Sequence, residues 1–522
     1  MTVTNRPKRL WMPLVGTLVI TIACLTYYYG FGANEDRGRR ALSVWFALGA
    51  FALWNLVWLA FFSGMTWRRR LMVTALVLVA LAAGRRGTIR NIHFDGDMAG
   101  PVITWRWQPL QADVIQAHRQ SQGGGNVAVS MNLDASDFPE YRGVRRDGVV
   151  TGPELRRDWS KPPRILWKQP CGEGYAGFAV VDELAVTIEQ RGDDEAVVAY
   201  QTSTGRELWQ HRYPTRFSEA LGGDGPRATP TVHDGNVYAL GAAGRLTCLD
   251  ARTGKLIWAA DILADNENIP WGMSGSPLVD DKLVIVNPGS QRESAKGRAL
   301  VAYDRLTGKE VWHGGDTQAG YSSPMFAMLG GMRQVILFDA DVVAGYDPSN
   351  GQKLWSFKYP SYQGINVAQP LVLSDDRVLI SAGYNYGSAM INVKRDAKKW
   401  SAEQLWKSNR LRCKFTSPVE FEGHVYGLDD GILVCLDAQT GSQKWKGERY
   451  GHGQLLREGN TLVIFAETGF LAEVEASPEK YHELGRVRVF DETKNWNPFA
   501  LARGRAYQRN HREMACVDMG GQ

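Results

Sequence analysis

One hairpin motif recurs between residues 199 and 445 and limits what the chain can fold into. A clear copy runs Cys248-Leu-Asp-Ala-Arg-Thr-Gly254-Lys-Leu-Ile-Trp258. Glycine suits a turn that needs positive φ, and the tryptophan then lies in the following strand. The tryptophans that end the copies are separated by 49, 54, 43, 51 and 39 residues, which predicts a repeat architecture. These tryptophans, which we expect to pack between repeats, are Trp209, Trp258, Trp312, Trp355, Trp406 and Trp445.

A second motif precedes most copies of the first. Thr229-Pro-Thr-Val-His-Asp-Gly-Asn-Val-Tyr238 is similar to Ser417-Pro-Val-Glu-Phe-Glu-Gly-His-Val-Tyr426, and each alternates apolar and polar residues around a turn. Together the two motifs predict four antiparallel strands in about 45 residues, which is one blade of a β-propeller. The predicted blades begin near Gly177, Thr229, Ser276, Ser323, Gln369, Ser417, Gln454 and Pro498.

The eighth predicted blade has only three strands before the chain ends at Gln522. The strand that it lacks is available at 164–168, ahead of the first blade. Pairing this segment with 514–518 closes the ring and removes an exposed sheet edge. The sequence therefore predicts an all-β, eight-bladed propeller closed by strand exchange.

The AxDxxTGxxxW motif resembles the tryptophan-docking signature of pyrroloquinoline-quinone (PQQ) propellers, a group that includes BamB-type proteins and quinoprotein dehydrogenases. The resemblance covers residues 137–522. The stretch Asp137-Phe-Pro-Glu-Tyr-Arg-Gly143-Val-Arg-Arg-Asp-Gly148 also looks like the entry segment of a membrane-anchored PQQ-like family. The resemblance implies four-stranded blades and a propeller on the periplasmic or outer side of a membrane.

Residues 1–87 are predicted to form a membrane anchor of two or three helices, at 10–31, 41–62 and 70–84. The first two stretches exceed the roughly 20 apolar residues that span a bilayer, whereas the third has 14 apolar residues between arginines. Lys and Arg outnumber Asp and Glu by 13 to 4 in residues 1–110, which is typical of membrane flanks. The number of spans, and so the side on which the propeller lies, stays open.

Residues 88–136 are predicted to be a linker, because they include the glycine-rich stretch Gln122-Gly-Gly-Gly-Asn126. Beyond residue 110 the chain holds 47 basic and 51 acidic residues. This balance gives no basic footprint for a nucleic-acid partner.

The sequence offers little that indicates catalysis. A quinoprotein dehydrogenase of the resembled group is expected to have two adjacent cysteines, Ca²⁺ ligands and a catalytic aspartate. This chain has six cysteines, none adjacent, and no CxxCH or metal-ligand spacing. We therefore predict no catalytic residue, no metal site and no cofactor, with PQQ and Ca²⁺ only under the alternative function.

Candidate binding residues come from aligning the blade starts. The residues just before each innermost strand are expected to converge at one mouth of the central channel, where aromatic and polar side chains suit a binding funnel or plug the neck. No Asp or Glu occupies the aligned positions, although Glu173 and Glu219 are nearby in sequence. The channel-mouth candidates are Tyr175, Arg227, Trp271, Ser274, Tyr321, Asn366, Lys414, Phe415, His452, Trp496 and Asn497.

The leading prediction is a membrane-anchored, non-catalytic scaffold at the cell envelope that binds a protein or an envelope polymer. The first alternative is a PQQ-dependent quinoprotein oxidoreductase coupled to the membrane. The second alternative is a carbohydrate-binding propeller, indicated by the aromatic residues of the mouth. A carboxylate inside the funnel distinguishes the dehydrogenase from the scaffold.

Overall fold

The computed structural model describes residues 11–31, 37–94, 101–122, 129–397, 399–491 and 494–520. The chain divides into two compact units. One comprises residues 1–110 with 218–223, and the other comprises residues 111–217 with 224–522.

The first unit contains three apolar helices. They are α1 (Met12–Thr26), α2 (Arg37–Val57) and α3 (Trp67–Thr88), and π-helical turns extend α1 through Tyr27–Phe31 and α2 through Trp58–Phe62. All three helical segments are long and apolar enough to cross a membrane. Because α3 continues through its C-terminal arginines, its 22 residues reach about 33 Å at 1.5 Å per residue, more than the apolar stretch alone.

The segment predicted as a linker has regular structure of its own. Strands Ile89–Phe94 and Pro101–Trp105 form a hairpin in the first unit. Helix α4 (Gln111–Ser121) belongs to the second unit, where it buries Ile115 and contacts the strand Arg164–Pro170. Most of the glycine-rich stretch lies outside the described residues.

The second unit is an eight-bladed propeller whose blades each have four antiparallel strands, as the sequence predicts. In blade 7 the strand Val149–Val150 of the entry segment adds a fifth, parallel strand inside the innermost one. From the channel outward, the strands of blades 1 to 4 are Ala179–Val181, Leu184–Arg191, Asp194–Gln201 and Glu207–Pro214; Thr231–His233, Asn236–Leu240, Arg245–Asp250 and Leu256–Asp261; Leu278–Val279, Leu283–Val286, Leu300–Asp304 and Glu310–Gly314; and Met325–Leu329, Met332–Phe338, Val342–Tyr346 and Lys353–Lys358.

Those of blades 5 to 8 are Leu371–Ser374, Arg377–Ala382, Gly387–Asp396 and Lys399–Ser408; Val419–Phe421, His424–Asp429, Ile432–Asp437 and Gln443–Arg449; Gln454–Glu458, Thr461–Phe465, Phe470–Glu475 and Glu483–Arg488; and Ala500–Ala502, Arg505–Arg509, Glu513–Asp518 and Arg164–Pro170. Blade 8 takes its outermost strand from the start of the propeller, with Cys516 opposite Trp167. The predicted closure by strand exchange is confirmed.

The motif tryptophans lie between neighbouring blades. Trp209 Nε1 donates a hydrogen bond to the carbonyl of Ala251 at 2.9 Å, and its ring covers Gly254 of the next blade. A Cβ at Gly254 would lie 2.4 Å from that ring. Trp355 differs, since its Nε1 donates to Gln334 Oε1 within its own blade at 2.8 Å. The tryptophans therefore contribute to the packing that holds blades side by side.

A row of hydroxyl groups joins the blades around the channel. Each accepts a hydrogen bond from a backbone N–H of the preceding blade, and the donor and acceptor pairs are Gly177 to Thr229, Thr229 to Ser276, Ser276 to Ser323, and Gln369 to Ser417, at 2.9 to 3.0 Å. These residues lie two positions before the innermost strands. They form a neck of the channel, beneath the loops that carry the predicted binding residues.

Residues 137–150, the entry segment, close the channel at the opposite end. Arg146 is 1% exposed and donates to the carbonyls of Ser276 at 3.0 Å and Pro324 at 2.8 Å. Arg142, buried on the other side, donates to the carbonyls of Pro418 at 2.9 Å and Leu455 at 3.2 Å. Two guanidinium groups thus join innermost strands of blades 3, 4, 6 and 7. We call this the closed end and the other end the mouth.

Candidate functional site

Two sets of loops build the mouth. One precedes the innermost strands, and the other joins the second strand of each blade to the third. Because neighbouring strands are antiparallel, both sets lie at the same end of the propeller. The sequence alignment of blade starts covers the first set only.

Aromatic rings from blades 1, 6, 7 and 8 meet at the mouth. Tyr175 stacks against Trp496, with ring centroids 5.9 Å apart and planes 21° apart. Phe415 lies 4.6 Å from Trp496 and 5.6 Å from the His452 ring. These separations are typical of favourable aromatic pairs. Predicted residues from distant parts of the sequence therefore form one continuous aromatic surface.

Cationic groups lie on this surface. The Arg227 guanidinium is 5.4 Å from the Tyr175 ring and 4.5 Å from the Phe217 ring. Lys494 Nζ is 5.2 Å from Tyr175 and 4.6 Å from Trp496, although the residue is only 4% exposed. Cations over ring faces are stabilised by the ring quadrupole. The surface thus combines flat apolar faces with positive charge, which suits a planar anion.

His511 lies against the same rings. Its imidazole meets Tyr175 edge to face, with centroids 4.3 Å apart. Burial, followed by the charges of Lys494 and Arg509, holds the pKa of His511 well below its usual range. Its Nε2 atom is buried without a hydrogen-bond partner among the described residues. The neutral imidazole therefore presents a nitrogen that can form a hydrogen bond with a ligand beside the aromatic surface.

Glu467 supplies the carboxylate that the sequence analysis did not find. It lies in the loop between the second and third strands of blade 7. Its Oε1 accepts from Trp496 Nε1 at 2.7 Å, and its Oε2 accepts from the backbone N–H of His452 at 3.0 Å. His511 comes from the same kind of loop in blade 8, whereas Lys494 lies in the loop before the innermost strand of blade 8, two residues before Trp496. An alignment of the loops between second and third strands is the signal that would have found Glu467 and His511.

Glu173, which the sequence analysis considered, has different neighbours. Its nearest ion-pair partner is Arg216, 4.0 Å away. Burial raises its pKa, and the nearby charge of Asp224 adds to the effect. No described contact joins its carboxylate to the aromatic surface.

The remaining predicted residues divide into three groups. Trp271 and Tyr321 form a separate aromatic pair 5.6 Å apart. Lys414 Nζ lies 5.3 Å from the Phe415 ring and so adjoins the main surface. The other three hold loop backbone in place: Asn366 and Asn497 are fully buried and donate to backbone carbonyls, and Ser274 donates to Gly272 within its own loop.

The mouth has a donor set that fits an organic anion better than a metal ion. Within the described residues no group of three or more His, Cys, Asp or Glu side chains is placed to hold a metal. Ca²⁺ takes six to eight oxygen ligands, usually several of them carboxylates. The six cysteines are all free thiols, so no disulfide lines the mouth.

The fold and the mouth define a class of protein, an eight-bladed β-propeller closed at one end and open at an aromatic, cationic mouth. Residues 193–447 match the family model described as Outer membrane protein assembly factor BamB. The matched residues lie within the propeller, which is thus similar to the PQQ-like, BamB-type propellers that the sequence motifs indicate.

Relatives of known activity match parts of the chain. Quinohemoprotein alcohol dehydrogenase ADH-IIG of Pseudomonas putida is 32% identical over 124 residues, which are 23% of this chain and 17% of that protein. Quinoprotein alcohol dehydrogenase PedH of the same species is 29% identical over 272 residues, 48% of this chain and 44% of that protein. The matches thus span less than half of either relative's length.

A solved structure with the same fold is that of quinohemoprotein alcohol dehydrogenase from Comamonas testosteroni. It superposes with a TM-score of 0.52 and 14% identity, over 79% of this chain and 84% of that chain. At this identity the likeness concerns the fold alone.

The prediction that no cofactor is involved is wrong. The curated relatives that match parts of the chain include quinoprotein and quinohemoprotein dehydrogenases, which contradicts it. The prediction rested on missing cysteine and haem motifs, and these motifs do not report on the aromatic and cationic groups at the mouth.

Proposed function

We propose that this chain is a membrane-anchored quinoprotein oxidoreductase, whose propeller binds a PQQ-class quinone at the mouth. The observation that carries the proposal is the stack of Tyr175 and Trp496 with Lys494 over both rings. The relationship to quinoprotein alcohol dehydrogenases supports it.

The side chains of the mouth match the chemistry of such a cofactor. PQQ is a planar tricarboxylate, so it needs a flat aromatic surface and compensating positive charge. Trp496 and Tyr175 supply the first, and Lys494 and Arg227 supply the second. The open Nε2 of His511 adds a hydrogen-bonding position at the same surface.

When bound, a quinone accepts the two electrons released as an alcohol becomes a carbonyl compound. The chain's own contribution is the handling of the proton. Glu467 is half-buried and accepts two hydrogen bonds that fix its carboxylate beside Trp496. A carboxylate held in this way is suited to accept a hydroxyl proton as a general base.

The three apolar helices support an anchor in the membrane. With three spans and a cytoplasmic N-terminus, the propeller lies on the outer or periplasmic side. We propose this location, which agrees with that of related propellers.

A titration of the full-length protein in detergent with PQQ tests the proposal, followed by absorbance and tryptophan fluorescence. We expect saturable binding that Lys494→Met weakens at least tenfold, since a buried charge-assisted contact contributes about 1.5–3 kcal/mol. Lys255→Met, an exposed lysine in a turn at the other end of its blade, is the matched control. Absence of binding at saturating PQQ refutes the proposal.

A second candidate is a non-catalytic scaffold that binds an envelope protein. The match to the BamB family model favours it. If the chain is a scaffold, PQQ does not bind at the mouth, and a protein partner protects the same surface from labelling. The titration therefore separates the two functions.

A further inference from the structure

Beside the proposed cofactor surface, blades 5 and 6 present a second aromatic cluster, formed by Tyr362, Tyr384 and Lys414, which we call the tyrosine subsite. The two tyrosine rings stack 5.3 Å apart with planes 30° apart. Lys414 Nζ lies 5.1 Å from Tyr384 and 5.3 Å from Phe415. Phe415 also contacts Trp496, so the subsite directly adjoins the cofactor surface.

The backbone of the subsite is held in costly conformations. Tyr384 and Asn385 have φ of +54° and +69° in the turn that joins two strands of blade 5, and Gln363 beside Tyr362 has φ of +50°. A bulky residue in the left-handed region costs about 1–2 kcal/mol relative to glycine. Such strain is concentrated at sites where it positions a functional group. Here it places the Tyr384 ring against Tyr362.

Lys414 has no carboxylate partner within the described part of the chain, and its described contacts are with ring faces. Its backbone lies close to the same turn, because a Cβ at Gly383 would be 3.0 Å from the Lys414 Cα. The neighbouring Asp429 is paired with Arg412 at 2.7 Å. The ammonium group therefore offers an uncompensated positive charge next to partly exposed aromatic rings.

Polar groups lie around the rings. Arg412 donates to Asn385 Oδ1 at 3.0 Å, and Asn385 is exposed. Burial raises the pKa of Tyr384 to about 12, with smaller contributions from Tyr362 and Asp430, so its hydroxyl stays protonated and can both donate and accept. The tyrosine ring faces can pack against C–H groups of a ligand, and the surrounding amide and hydroxyl groups of the protein can bond its hydroxyl groups. The subsite therefore suits a hydroxylated ring rather than a fully apolar one.

We propose that the tyrosine subsite binds a carboxylated saccharide, with the sugar ring on the tyrosines and the carboxylate on Lys414. The inference rests on the proposed function, because a sugar hydroxyl is an alcohol that a quinone at the adjoining surface can oxidise. It names the substrate class as a sugar acid or a uronic acid residue of an envelope polymer.

The test uses saturation-transfer NMR on the full-length protein in detergent, with D-glucuronate and D-glucose as probes. We expect glucuronate to bind at least tenfold more tightly than glucose, and Lys414→Met to abolish the difference. Tyr384→Gly removes the ring while it relieves the positive-φ strain, so we expect a stable protein that has lost binding. Lys407→Met is the control, since Lys407 Nζ lies 5.1 Å from Tyr359 in an equivalent pair outside the subsite.

The outcomes separate the subsite from the cofactor surface, because PQQ binding is measured on the same samples. If PQQ binds but glucuronate does not, or Lys414→Met leaves glucuronate binding unchanged, the subsite is refuted and the quinoprotein function stands. If glucuronate binds through Lys414 but PQQ does not, the substrate role is refuted and the mouth is a carbohydrate-binding site.

Discussion

Replacement of Arg146 by methionine tests how the closed end holds the propeller together. Besides the carbonyls of Ser276 and Pro324, the guanidinium binds Glu140 Oε2 at 2.5 Å. Methionine keeps much of the side-chain volume but leaves these acceptors unpaired and buries the Glu140 carboxylate without a counter-charge. Removing one partner of a buried ion pair costs about 3–5 kcal/mol, and each unpaired buried acceptor about 1–3 kcal/mol, and these costs do not add.

We expect Arg146→Met to lower the free energy of unfolding by about 3–5 kcal/mol in urea titrations followed by tryptophan fluorescence. Arg145→Met is the matched control, because the Arg145 side chain is 66% exposed and its ion pair with Asp147 is a surface pair worth about 0–1 kcal/mol. Adding Glu140→Gln to Arg146→Met should recover part of the loss. An Arg146→Met protein as stable as the Arg145→Met protein would refute the conclusion that this arginine joins the blades.

Three further predictions concern packing and titration. Gly254→Ala should destabilise the protein in urea titrations by several kcal/mol, because positive-φ strain costs about 1–2 kcal/mol and overpacking against Trp209 about 1–3 kcal/mol. Gly235→Ala is the control: Gly235 has φ of +73° and open space around it, so this variant should show only the cost of the strain. Burial raises the pKa of Asp339 to about 7, so between about pH 4 and 7 the folded state holds a proton that the unfolded state has lost. The stability of the protein should therefore fall as pH rises through this range. Asp339→Asn should reduce that fall, as measured by thermal unfolding. Glu467→Gln should leave PQQ binding within about threefold but abolish turnover of a sugar acid in the loaded protein, as seen by dye reduction, and unchanged turnover would exclude Glu467 as the base.

The propeller could be predicted from the sequence because its determinants are local and repeated. Six of the eight blades carry the motif tryptophan, five of them with the turn glycine, and the strand missing from blade 8 is evident as soon as the blades are counted. Trp355 shows the limit of this reasoning. The sequence assigns it the same role as the other motif tryptophans, yet its indole bonds Gln334 in its own blade.

The mouth could be predicted only in part, because its residues come from two kinds of loop and just one kind has a recognisable motif. Tyr175 and Trp496 follow from the alignment of blade starts, whereas Glu467 and His511 belong to the loops between second and third strands, which that alignment does not cover. Lys494 lies in the same loop as Trp496 but outside the aligned position. Asn366 and Asn497 adjoin aligned positions but are buried and donate to backbone carbonyls. Contacts of this kind depend on the relative placement of whole blades, which no local pattern encodes.

The central claim is that the mouth binds a quinone cofactor, and calorimetric titration of the full-length protein with PQQ tests it most directly. Binding at one equivalent, weakened at least tenfold by Lys494→Met and unaffected by Lys255→Met, is the result predicted here. No heat of binding and no shift in thermal unfolding at saturating PQQ would contradict the claim and favour the scaffold.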